Sequence, residues 1–353
     1  MVEKQLKTWF RRSLLRWNSV KNDRKMPWKG ISDPYKIWLS EIMLQQTRVE
    51  QGMGYYNRFI ERFPTVHSLA QSPENQVFKL WEGLGYYSRC RNLIATAKKV
   101  SLELRGRFPD TLEGLLSLKG VGPYTAAAIG SFAFGLPHAV VDGNVIRVIS
   151  RFMGITAPTD QSDVKKKLAL LAQELLDEKN PALYNQSIMD FGAVVCRPQQ
   201  PRCNDCPLQK KCIAYAKGIQ SSLPRKSKKV ASQMRFLYYL ILEHKGKQLV
   251  RKRGEKDIWK DLYEFVLMER DEAQETPFLL QLSNWGFKST HLKQQVVDIS
   301  EEIIHQLTHR RIHCRLVHIK IETSVQLEGY VWKSKNTIRQ LPFPRLITRY
   351  LGW

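Results

Sequence analysis

The sequence predicts a mainly α-helical domain over residues 1–216 and a smaller α+β domain over residues 235–353. Between residue 4 and about residue 216, apolar residues recur at three- and four-residue spacing, which is typical of amphipathic helices. The later part carries runs of aromatic and β-branched residues, which predict strands. Residues 217–234 are basic, contain no acidic residue, and are predicted to link the two domains or to lie on a phosphate backbone.

The composition predicts a folded protein with a polyanionic partner. Lys and Arg number 56 against 33 Asp and Glu, a formal net charge of +23, and 43% of residues are hydrophobic, which excludes a disordered basic tail. The longest dense apolar run, residues 236–242, is far shorter than the roughly 18 residues of a membrane span, so we expect nucleic acid and no membrane. Without a secretory signal pattern, we expect a cytosolic, DNA-accessible protein, although the first amphipathic segment would also suit a transit peptide.

Short Gly, Pro and Asp segments divide the first domain into predicted helices. These cover residues 34–63, 73–83, 91–104, 123–134, 145–153, 163–177 and 180–195. The second domain has predicted strands at 236–242, 248–251, 263–268 and 312–322, with helices near 276–285 and 345–351. This mixture predicts an α+β fold for the second domain.

Glu41 is an acidic residue in apolar surroundings. It lies within the predicted helix 34–63, and its neighbours at helical spacing are Ile37, Trp38 and Leu44. Burial would raise the pKa of its carboxyl and suit it to carry a proton near neutral pH. The alternative is a helix glutamate that reaches solvent.

A glycine-containing turn, residues 118–126, joins two predicted helices. Gly120 and Gly122 permit close backbone approach to a ligand, and Pro123 suits the first position of a helix. The N–H groups at that helix start form an anion site without side-chain charge, so the turn predicts a helix-hairpin-helix grip on the DNA backbone. An ordinary turn between helices is the alternative.

Asp142 lies between the apolar run 139–141 and the start of a predicted helix. This position is typical of a helix N-cap. A carboxylate held ionised by helix-start N–H groups is also suited to stabilise a developing cation. The two roles are compatible.

Four cysteines, in the spacing C-x6-C-x2-C-x5-C, follow the last helix of the first domain. They are Cys196, Cys203, Cys206 and Cys212. The clustering favours a 4Fe-4S cluster, because such a cluster needs four cysteine ligands. A four-cysteine zinc site and two disulfides are the alternatives. A fully ligated site would be structural and would fix a basic loop against a phosphate backbone.

These motifs, taken in order, resemble the adenine DNA glycosylases of the MutY type, in the superfamily that includes endonuclease III. The segments that carry the resemblance are 38–47, Trp-Leu-Ser-Glu-Ile-Met-Leu-Gln-Gln-Thr, and 83–89, Gly-Leu-Gly-Tyr-Tyr-Ser-Arg, with the turn 118–126, 141–144 and the four cysteines. The resemblance implies a helix-hairpin-helix DNA glycosylase with an iron-sulfur loop at 196–212 and a Nudix-like second domain. It also implies a monomer that flips adenine, paired with 8-oxoguanine or G, out of double-stranded DNA and hydrolyses its N-glycosidic bond.

The resemblance also assigns roles to individual residues. Glu41 would protonate adenine at N7, and Asp142 would stabilise the oxocarbenium ion, with Tyr124 and Asn144 shaping that site and controlling the attacking water. Further residues would contact the adenine or the DNA. The adenine pocket would include Arg24, Trp28 and Asp190, and the DNA contacts Gln46, Tyr86, Gly120, Val121, Gly122 and Lys29. The family usually has an arginine where this chain has Lys29, and a lysine cannot make the two parallel hydrogen bonds that an arginine makes.

Tyr124 distinguishes between the subfamilies. Lyases of the endonuclease III type carry a Schiff-base lysine at this position, and a phenol cannot form an imine. We therefore expect a monofunctional glycosylase, with Lys119 as the alternative amine. The competing functions are a bifunctional glycosylase and lyase, and a non-catalytic DNA-binding iron-sulfur protein.

The second domain resembles the Nudix-like recognition domain of the family through residues 259–265, Trp-Lys-Asp-Leu-Tyr-Glu-Phe. The chain lacks the G-x5-E-x7-R-E-x2-E-E box, so we expect no pyrophosphate hydrolysis. Many family members read 8-oxoguanine with a Phe-Ser-His loop. The matching residues here are Leu307, Thr308 and His309, where the aromatic ring is lost and the hydroxyl is kept.

Overall fold

A computed structural model describes residues 2–227, 233–254, 257–287, 293–307 and 310–353. The chain divides into two compact units, Met1–Gln71 with Asn92–Lys228, and Ser72–Arg91 with Lys229–Trp353. The first unit is mainly helical and the second contains a mixed sheet, so the predicted fold class is confirmed. Residues 72–91 group with the carboxyl-terminal residues, which the sequence analysis did not anticipate. The boundaries at 216 and 235 stay predictions.

Twelve helices of more than one turn precede the sheet in the described chain. They are α1 Lys4–Lys21, α2 Pro34–Leu44, α3 Val49–Arg62, α4 Val66–Gln71, α5 Glu74–Trp81, α6 Ser88–Leu102, α7 Leu112–Leu116, α8 Pro123–Phe134, α9 Gly143–Phe152, α10 Ser162–Leu175, α11 Pro181–Val194 and α12 Ile213–Ala216. None of the described helices is long and apolar enough to cross a membrane.

The helices that carry candidate site residues begin at recognisable signals. Asp33 caps α2 by accepting from two amides of its first turn, and Pro34 follows as the first helical residue. The same combination of fixed φ and absent N–H explains Pro123 at the start of α8. Asp142 caps α9, as predicted, through its bond from the Val145 amide. These starts fix where the side chains of each first turn lie.

The prediction of one helix over residues 34–63 is wrong. The chain forms α2 and α3, with a break at residues 45–48 where Gln46 adopts a left-handed φ of 57°. No glycine or proline lies in this break, so the apolar periodicity continues across it and conceals it. The break turns the chain at the end of α2, three residues after Glu41.

One hydrophobic core of the helical unit lies among α1, α9, α10 and α11. Phe10 packs edge-on against Phe152 at 4.8 Å, and Trp17 packs edge-on against Phe191 at 5.1 Å between ring centroids. All four rings are buried, and aromatic pairs in this geometry add to the stabilisation from area burial. The core therefore holds α9 and α11, which carry Asp142 and the segment before the first cysteine.

The start of the predicted linker is bonded within the helical unit. Thr159 N donates to the Arg225 carbonyl oxygen at 2.9 Å, and Asp160 accepts from the amide and the hydroxyl of Ser227. Arg151 Nε donates to the Leu223 carbonyl oxygen at 3.0 Å. Residues 217–227 thus lie on the helical unit and do not form an open tether.

The described residues of the second unit form an eight-stranded sheet. Its strands are β1 Gln233–His244, β2 Lys247–Lys252, β3 Tyr263–Glu264, β4 Val266–Arg270, β5 Gln294–Ile299, β6 Ile303–Gln306, β7 Arg310–Ile321 and β8 Val331–Ser334. Its helices are α13 Thr276–Leu279, α14 Lys335–Arg339 and α15 Arg345–Tyr350. The main path is β3-β2-β1-β7-β5, with β4 on β1, β6 on β7 and β8 on β2, and β1 and β7 run parallel.

Residues 72–91 are hydrogen-bonded to the carboxyl-terminal part of the same unit. Lys79 Nζ donates to the Leu341 carbonyl oxygen at 3.2 Å, and the Phe343 amide donates to Glu82 Oε1 at 2.7 Å. The bonded residues lie 262 and 261 positions apart in the sequence. This sequence distance explains why local patterns did not predict the grouping.

Candidate active site

A cavity of about 810 Å³ opens in the helical unit. Most of its lining comes from the α1–α2 loop, from α2 with the following break, from the starts of α8 and α9, and from α11. It brings together many of the predicted site residues. Those that line it are Arg24, Trp28, Lys29, Glu41, Gln46, Gly122, Tyr124, Asp142 and Asn144.

Glu41 is buried in the wall of this cavity. Its side chain lies on α2 and is 4% exposed, and no hydrogen-bond partner in the described part of the chain meets Oε2. Burial raises the pKa of Glu41 to about 7, the negative charge of Asp142 adds to the rise, and a hydrogen bond from Tyr124 opposes it. The carboxyl therefore holds a proton over a large part of the neutral range, as predicted from its neighbours.

Asp142 is tightly hydrogen-bonded at the start of α9. Oδ1 accepts from the Val145 amide at 2.7 Å, and Oδ2 accepts from Asn144 Nδ2 at 2.6 Å. Burial raises the pKa of Asp142, while these bonds and the Arg147 charge lower it. The predicted hydrogen bond from an N–H at the helix start is present, but the rise in the pKa caused by burial is larger than the lowering caused by this bond. Unlike Glu41, Asp142 has both carboxyl oxygens occupied by donors.

Arg147 connects Asp142 to the cysteine-bearing segment. Its Nη2 donates to Asn144 Oδ1 at 2.7 Å and to the Gly192 carbonyl oxygen at 2.7 Å, and its Nε donates to the Cys196 carbonyl oxygen at 2.7 Å. Arg147 was not predicted as a site residue. Its signal is an arginine on the buried side of an amphipathic helix, three residues after Asn144.

Tyr124 lies in the first turn of α8, and its hydroxyl is hydrogen-bonded to Glu41. Burial raises the pKa of Tyr124 well above its usual value, and the nearby charges of Glu41 and Asp142 add to the rise. The phenol therefore stays protonated and acts as a donor. Lys119, the alternative amine, is exposed and is not part of the cavity wall.

The turn before α8 has the backbone geometry that its glycines permit. Gly120 has a φ of 80°, and a Cβ there would lie 2.7 Å from Asn92 Cβ. Gly122 is extended, and a Cβ there would have no heavy atom within 4 Å. The side chain of Val121 is buried, so this residue presents only its backbone to a ligand.

The α1–α2 loop and α11 both contribute side chains to the cavity wall. Arg24 and Lys29 line the cavity, and both are ion-paired to Asp190, at 2.9 and 2.8 Å. Asp190 itself does not line the cavity, in contrast to the expectation for it. Gln186, which the sequence analysis did not single out, does line it. Only the helical spacing between Gln186 and Asp190 could have indicated this residue.

The remaining predicted contacts lie elsewhere. Tyr86 belongs to the segment 72–91 of the second unit, is 46% exposed and has a left-handed φ of 48°. Thr308 and His309, the expected 8-oxoguanine contacts, lie outside the described residues.

The four cysteines line a small second cavity of the helical unit together with Arg151. No disulfide joins them. Arg151 Nη1 donates to Cys196 Sγ at 3.4 Å and to the Arg197 carbonyl oxygen at 2.7 Å. In the chain as far as it is described, no three His, Cys, Asp or Glu side chains form a group that could hold a single metal ion.

The thiols of this second cavity are held close enough to affect one another. Burial raises the pKa of Cys206 to about 12, and the charges of Cys196, Cys212 and Cys203 add to the rise. Four thiolates gathered in an apolar cavity need a positively charged group among them. The donor set, four sulfurs with a buried guanidinium beside one of them, fits a thiolate-ligated cluster.

Two family models match the chain. The model described as the HhH-GPD superfamily base excision DNA repair protein matches residues 39–174, and a NUDIX domain model matches residues 237–353. The first match contains Glu41, Tyr124, Asp142 and the glycine turn.

The chain is also similar to curated proteins named adenine DNA glycosylase. One, from Buchnera aphidicola subsp. Schizaphis graminum, is 37% identical over 256 residues, which cover 72% of this chain and 74% of the relative. Another, from Buchnera aphidicola subsp. Baizongia pistaciae, is 31% identical over 347 residues, 97% of this chain and 95% of the relative. A third, from Rattus norvegicus, is 45% identical over 229 residues, 62% of this chain and 44% of the relative.

Among solved structures, a thermostable thymine-DNA glycosylase is similar, with a TM-score of 0.56 and 30% identity over 60% of this chain and 98% of that one. A trapped endonuclease III–DNA covalent intermediate has a TM-score of 0.53 at 21% identity, covering 62% of this chain and 100% of that one. At this identity the second similarity shows the fold alone.

Proposed function

Because the chain belongs to the adenine DNA glycosylase family of base-excision repair enzymes, we propose that it excises adenine paired with 8-oxoguanine or G in double-stranded DNA. The observation that carries this proposal is the pair Glu41 and Asp142 in the wall of one cavity. A base that is flipped out of the duplex needs such a pocket, and about 810 Å³ is ample for a purine with its sugar.

Glu41 is proposed to act as the general acid. Its pKa of about 7 lets it hold a proton at neutral pH and deliver it to N7 of the adenine. Protonation makes the base a neutral leaving group, because the N-glycosidic bond then breaks without leaving an anion. Oε2 is buried and makes no hydrogen bond to the described residues, so the carboxyl has unused hydrogen-bonding capacity in the cavity wall.

Asp142 is proposed to stabilise the cation that forms on the sugar. Its two oxygens are fixed by the Val145 amide and by Asn144, so the charge is already placed before the bond breaks. Tyr124 donates to Glu41 and can steer the attacking water near both carboxyls. The roles differ because one carboxyl keeps an oxygen without a donor and the other has donors on both.

The enzyme is proposed to be monofunctional. Strand cleavage by the lyase route needs an amine that forms an imine with the sugar. The first turn of α8 presents Tyr124 to the cavity, and Lys119 is absent from the cavity wall. Hydrolysis by water is therefore the expected fate of the sugar cation.

Cys196, Cys203, Cys206 and Cys212 are proposed to hold a 4Fe-4S cluster. Their convergence on one cavity without disulfides supports a thiolate-ligated cluster, which needs four cysteine ligands. When bound, the cluster supplies four iron–thiolate bonds that fix the loop 196–212. Arg151 orients the first cysteine by its bond to Cys196 Sγ.

DNA binding is proposed to use two kinds of contact. The backbone amides at residues 120–122 and the start of α8 provide an uncharged phosphate site. The basic residues of the cluster loop and of residues 217–227 add charge, and the +23 net charge supports attraction to duplex DNA. The second unit is proposed to read 8-oxoguanine near Thr308 and His309.

The proposal is tested by incubating iron-replete protein with duplexes that contain A:8-oxoguanine, A:G, A:T or G:T pairs. We expect adenine release from the first two duplexes, and strand cleavage only after alkali treatment. Cleavage without alkali would indicate the bifunctional alternative. Binding to the A:8-oxoguanine duplex without base release would indicate the non-catalytic alternative and would refute the proposal.

A further inference from the structure

The loop of residues 82–87, which we call the Tyr86 loop, connects α5 to α6. Tyr86 is 46% exposed, and its left-handed φ of 48° costs free energy in a residue that is not glycine. The guanidinium of the buried Arg89 lies 5.5 Å from the centre of the Tyr86 ring, and Arg89 Nη2 donates to the Gly85 carbonyl oxygen at 3.2 Å. The loop therefore holds an aromatic ring at the surface, in a conformation that its surroundings must maintain.

Glu82 anchors the amino-terminal end of the Tyr86 loop. Its Oε1 accepts from the Phe343 amide at 2.7 Å, and its Oε2 accepts from Lys79 Nζ at 2.8 Å. Lys79 Nζ also donates to the Leu341 carbonyl oxygen at 3.2 Å. Phe343 is fully buried and stacks on Phe265, with 5.3 Å between ring centroids. This end of the loop is therefore bonded to the packed core of the second unit.

Arg91, in the first turn of α6, anchors the other side of the Tyr86 loop. Its Nη1 donates to the Lys260 carbonyl oxygen at 2.9 Å and lies 3.6 Å from Asp261 Oδ2. Asp261 is fixed in turn, because its Oδ1 lies 3.2 Å from Lys252 Nζ and its amide donates to the Arg253 carbonyl oxygen at 3.2 Å. Arg91 is thus joined to a segment that is itself bonded to β2.

Tyr86 lies between these two anchors in the sequence, and both anchors bind the carboxyl-terminal part of the second unit. An aromatic side chain stacks on a base only when its ring is correctly placed, and fixing the ring in advance lowers the entropy cost of that contact. A duplex offers such a stacking position where a nucleotide has been flipped out. The anchors therefore bear on the expected contact of Tyr86 with DNA.

We propose that Glu82 and Arg91 are positioning residues for Tyr86: they fasten the Tyr86 loop to the carboxyl-terminal part of the second unit, which thereby sets where the aromatic ring meets DNA. The contact of Tyr86 with DNA rests on the proposed function, whereas the anchoring of the loop does not. Both anchors act through the placement of the ring.

The anchoring is tested with Glu82→Ala and Arg91→Ala. We expect amide hydrogen exchange in residues 83–89 to become several-fold faster in each variant, with exchange in α1 and α10 unchanged. Glu61→Ala, at an exposed position on α3, is the matched control and should leave exchange in residues 83–89 as in wild type. Wild-type exchange rates in residues 83–89 of both anchor variants would overturn the anchoring, whatever the enzyme's activity.

The effect on DNA is measured as affinity for an A:8-oxoguanine duplex whose adenine nucleotide carries a 2′-fluorine on its sugar, which slows release of the base. We expect each anchor variant to bind this duplex several-fold more weakly, because stacking on an aromatic ring contributes to binding. Affinity for a fully paired duplex should stay as in wild type, since no base is flipped out there. In a Tyr86→Ala background, the same anchor substitutions should cause no further loss.

The Tyr86→Ala background separates positioning from general damage to the unit. Losses of affinity that add to the loss caused by Tyr86→Ala would overturn the positioning role, because the anchors would then act by another route. If wild type releases no adenine from the unmodified A:8-oxoguanine duplex, the proposed function fails, and the exchange measurement still decides whether Glu82 and Arg91 anchor the loop.

Discussion

At the scale of single residues, Glu41 and Asp142 differ through their hydrogen bonds more than through their burial. Burial raises the pKa of both carboxyls. Asp142 has donors on both oxygens, whereas Glu41 has a single side-chain donor, Tyr124, acting on its pKa. Because each charge disfavours the other, the pair binds one proton more readily than two or none near neutral pH, and Glu41 is the better site for it.

The raised pKa of Glu41 has a consequence for stability. The folded carboxyl, with a pKa of about 7 against 4.5 for the free side chain, binds its proton more tightly than the unfolded chain does. Its stabilising contribution is therefore fully present below pH 4.5 and is lost as the pH rises through about 7. The loss is on the order of 3 kcal/mol, since each pKa unit corresponds to about 1.4 kcal/mol.

Glu41→Gln should accordingly be more stable than wild type at pH 8, with the difference disappearing toward pH 5, because the amide has no charge to bury. Urea unfolding at the two pH values measures this. Glu50→Gln, at an exposed position on α3, is the control and should show no such pH-dependent gain. An identical free energy of unfolding for Glu41→Gln and wild type at pH 8 would contradict the burial of an ionisable Glu41.

The positions of Tyr124 and Lys119 lead to a second prediction about single residues. Borohydride added during turnover should trap no covalent protein–DNA adduct with wild type, because an adduct needs an amine that attacks the sugar. Among the described residues of the cavity wall, the only lysine is Lys29, and its amine is ion-paired with Asp190. Lys119→Ala should release adenine at the wild-type rate. An adduct that forms with wild type and disappears in Lys119→Ala would show a lyase and refute the monofunctional assignment.

At the scale of elements, the turn before α8 separates two effects of glycine. Position 120 requires glycine, because its φ is positive and the backbone lies close to Asn92. Neither condition holds at position 122. The open space around Gly122 is where a phosphate would approach the amides of α8. The two positions therefore allow folding and DNA binding to be tested separately.

Gly120→Ala should lower the melting temperature by several degrees, because its Cβ would lie 2.7 Å from Asn92 Cβ and the backbone strain adds to the clash. Gly122→Ala should leave the melting temperature nearly unchanged but weaken duplex binding several-fold. Thermal unfolding and a duplex titration at fixed salt measure the two effects. Equal DNA affinity for Gly122→Ala and wild type would argue against backbone contacts at this turn.

Sequence patterns predicted the helices of the first unit better than the strands of the second. Helices with clear caps, such as α8 and α9, begin where Pro123 and Asp142 indicate. The strand β5 was missed because five of its six residues are exposed and show no alternation of buried and exposed positions. The break between α2 and α3 was missed because Gln46, a residue without special backbone freedom, takes the left-handed conformation.

At the scale of the whole molecule, short sequence motifs were enough to predict the reactive side chains of the site. They were not enough to predict the residues that hold those side chains in place. Glu41, Tyr124 and Asp142 stand beside recognisable helix signals, and the structure gathers them in one cavity. Arg147 bonds to Gly192, which lies 45 residues further along the chain. Gln186 lies on a face of α11 whose neighbours are known only from the fold. The placement of Asp190 behind the wall also depends on packing, which spacing alone does not encode.

The cysteine cavity makes a prediction about the stability of the helical unit. Cys203→Ser should lower the iron content and the visible absorption of the purified protein, and should lower its melting temperature, because the metal–thiolate bonds fix the loop 196–212. Cys314→Ser, at a buried cysteine in the second unit, is the control and should keep wild-type iron content. A colourless wild-type protein loaded with zinc would refute the cluster.

The most direct test of the proposed chemistry is the single-turnover rate of adenine release from an A:8-oxoguanine duplex, measured between about pH 5.5 and 9. With Glu41 as the acid, the rate should fall as the pH rises above about 7, because the carboxyl loses its proton. Glu41→Gln should release no measurable adenine at any of these pH values while still binding the duplex. A rate that stays level to pH 9, with release retained in Glu41→Gln, would contradict the role of Glu41.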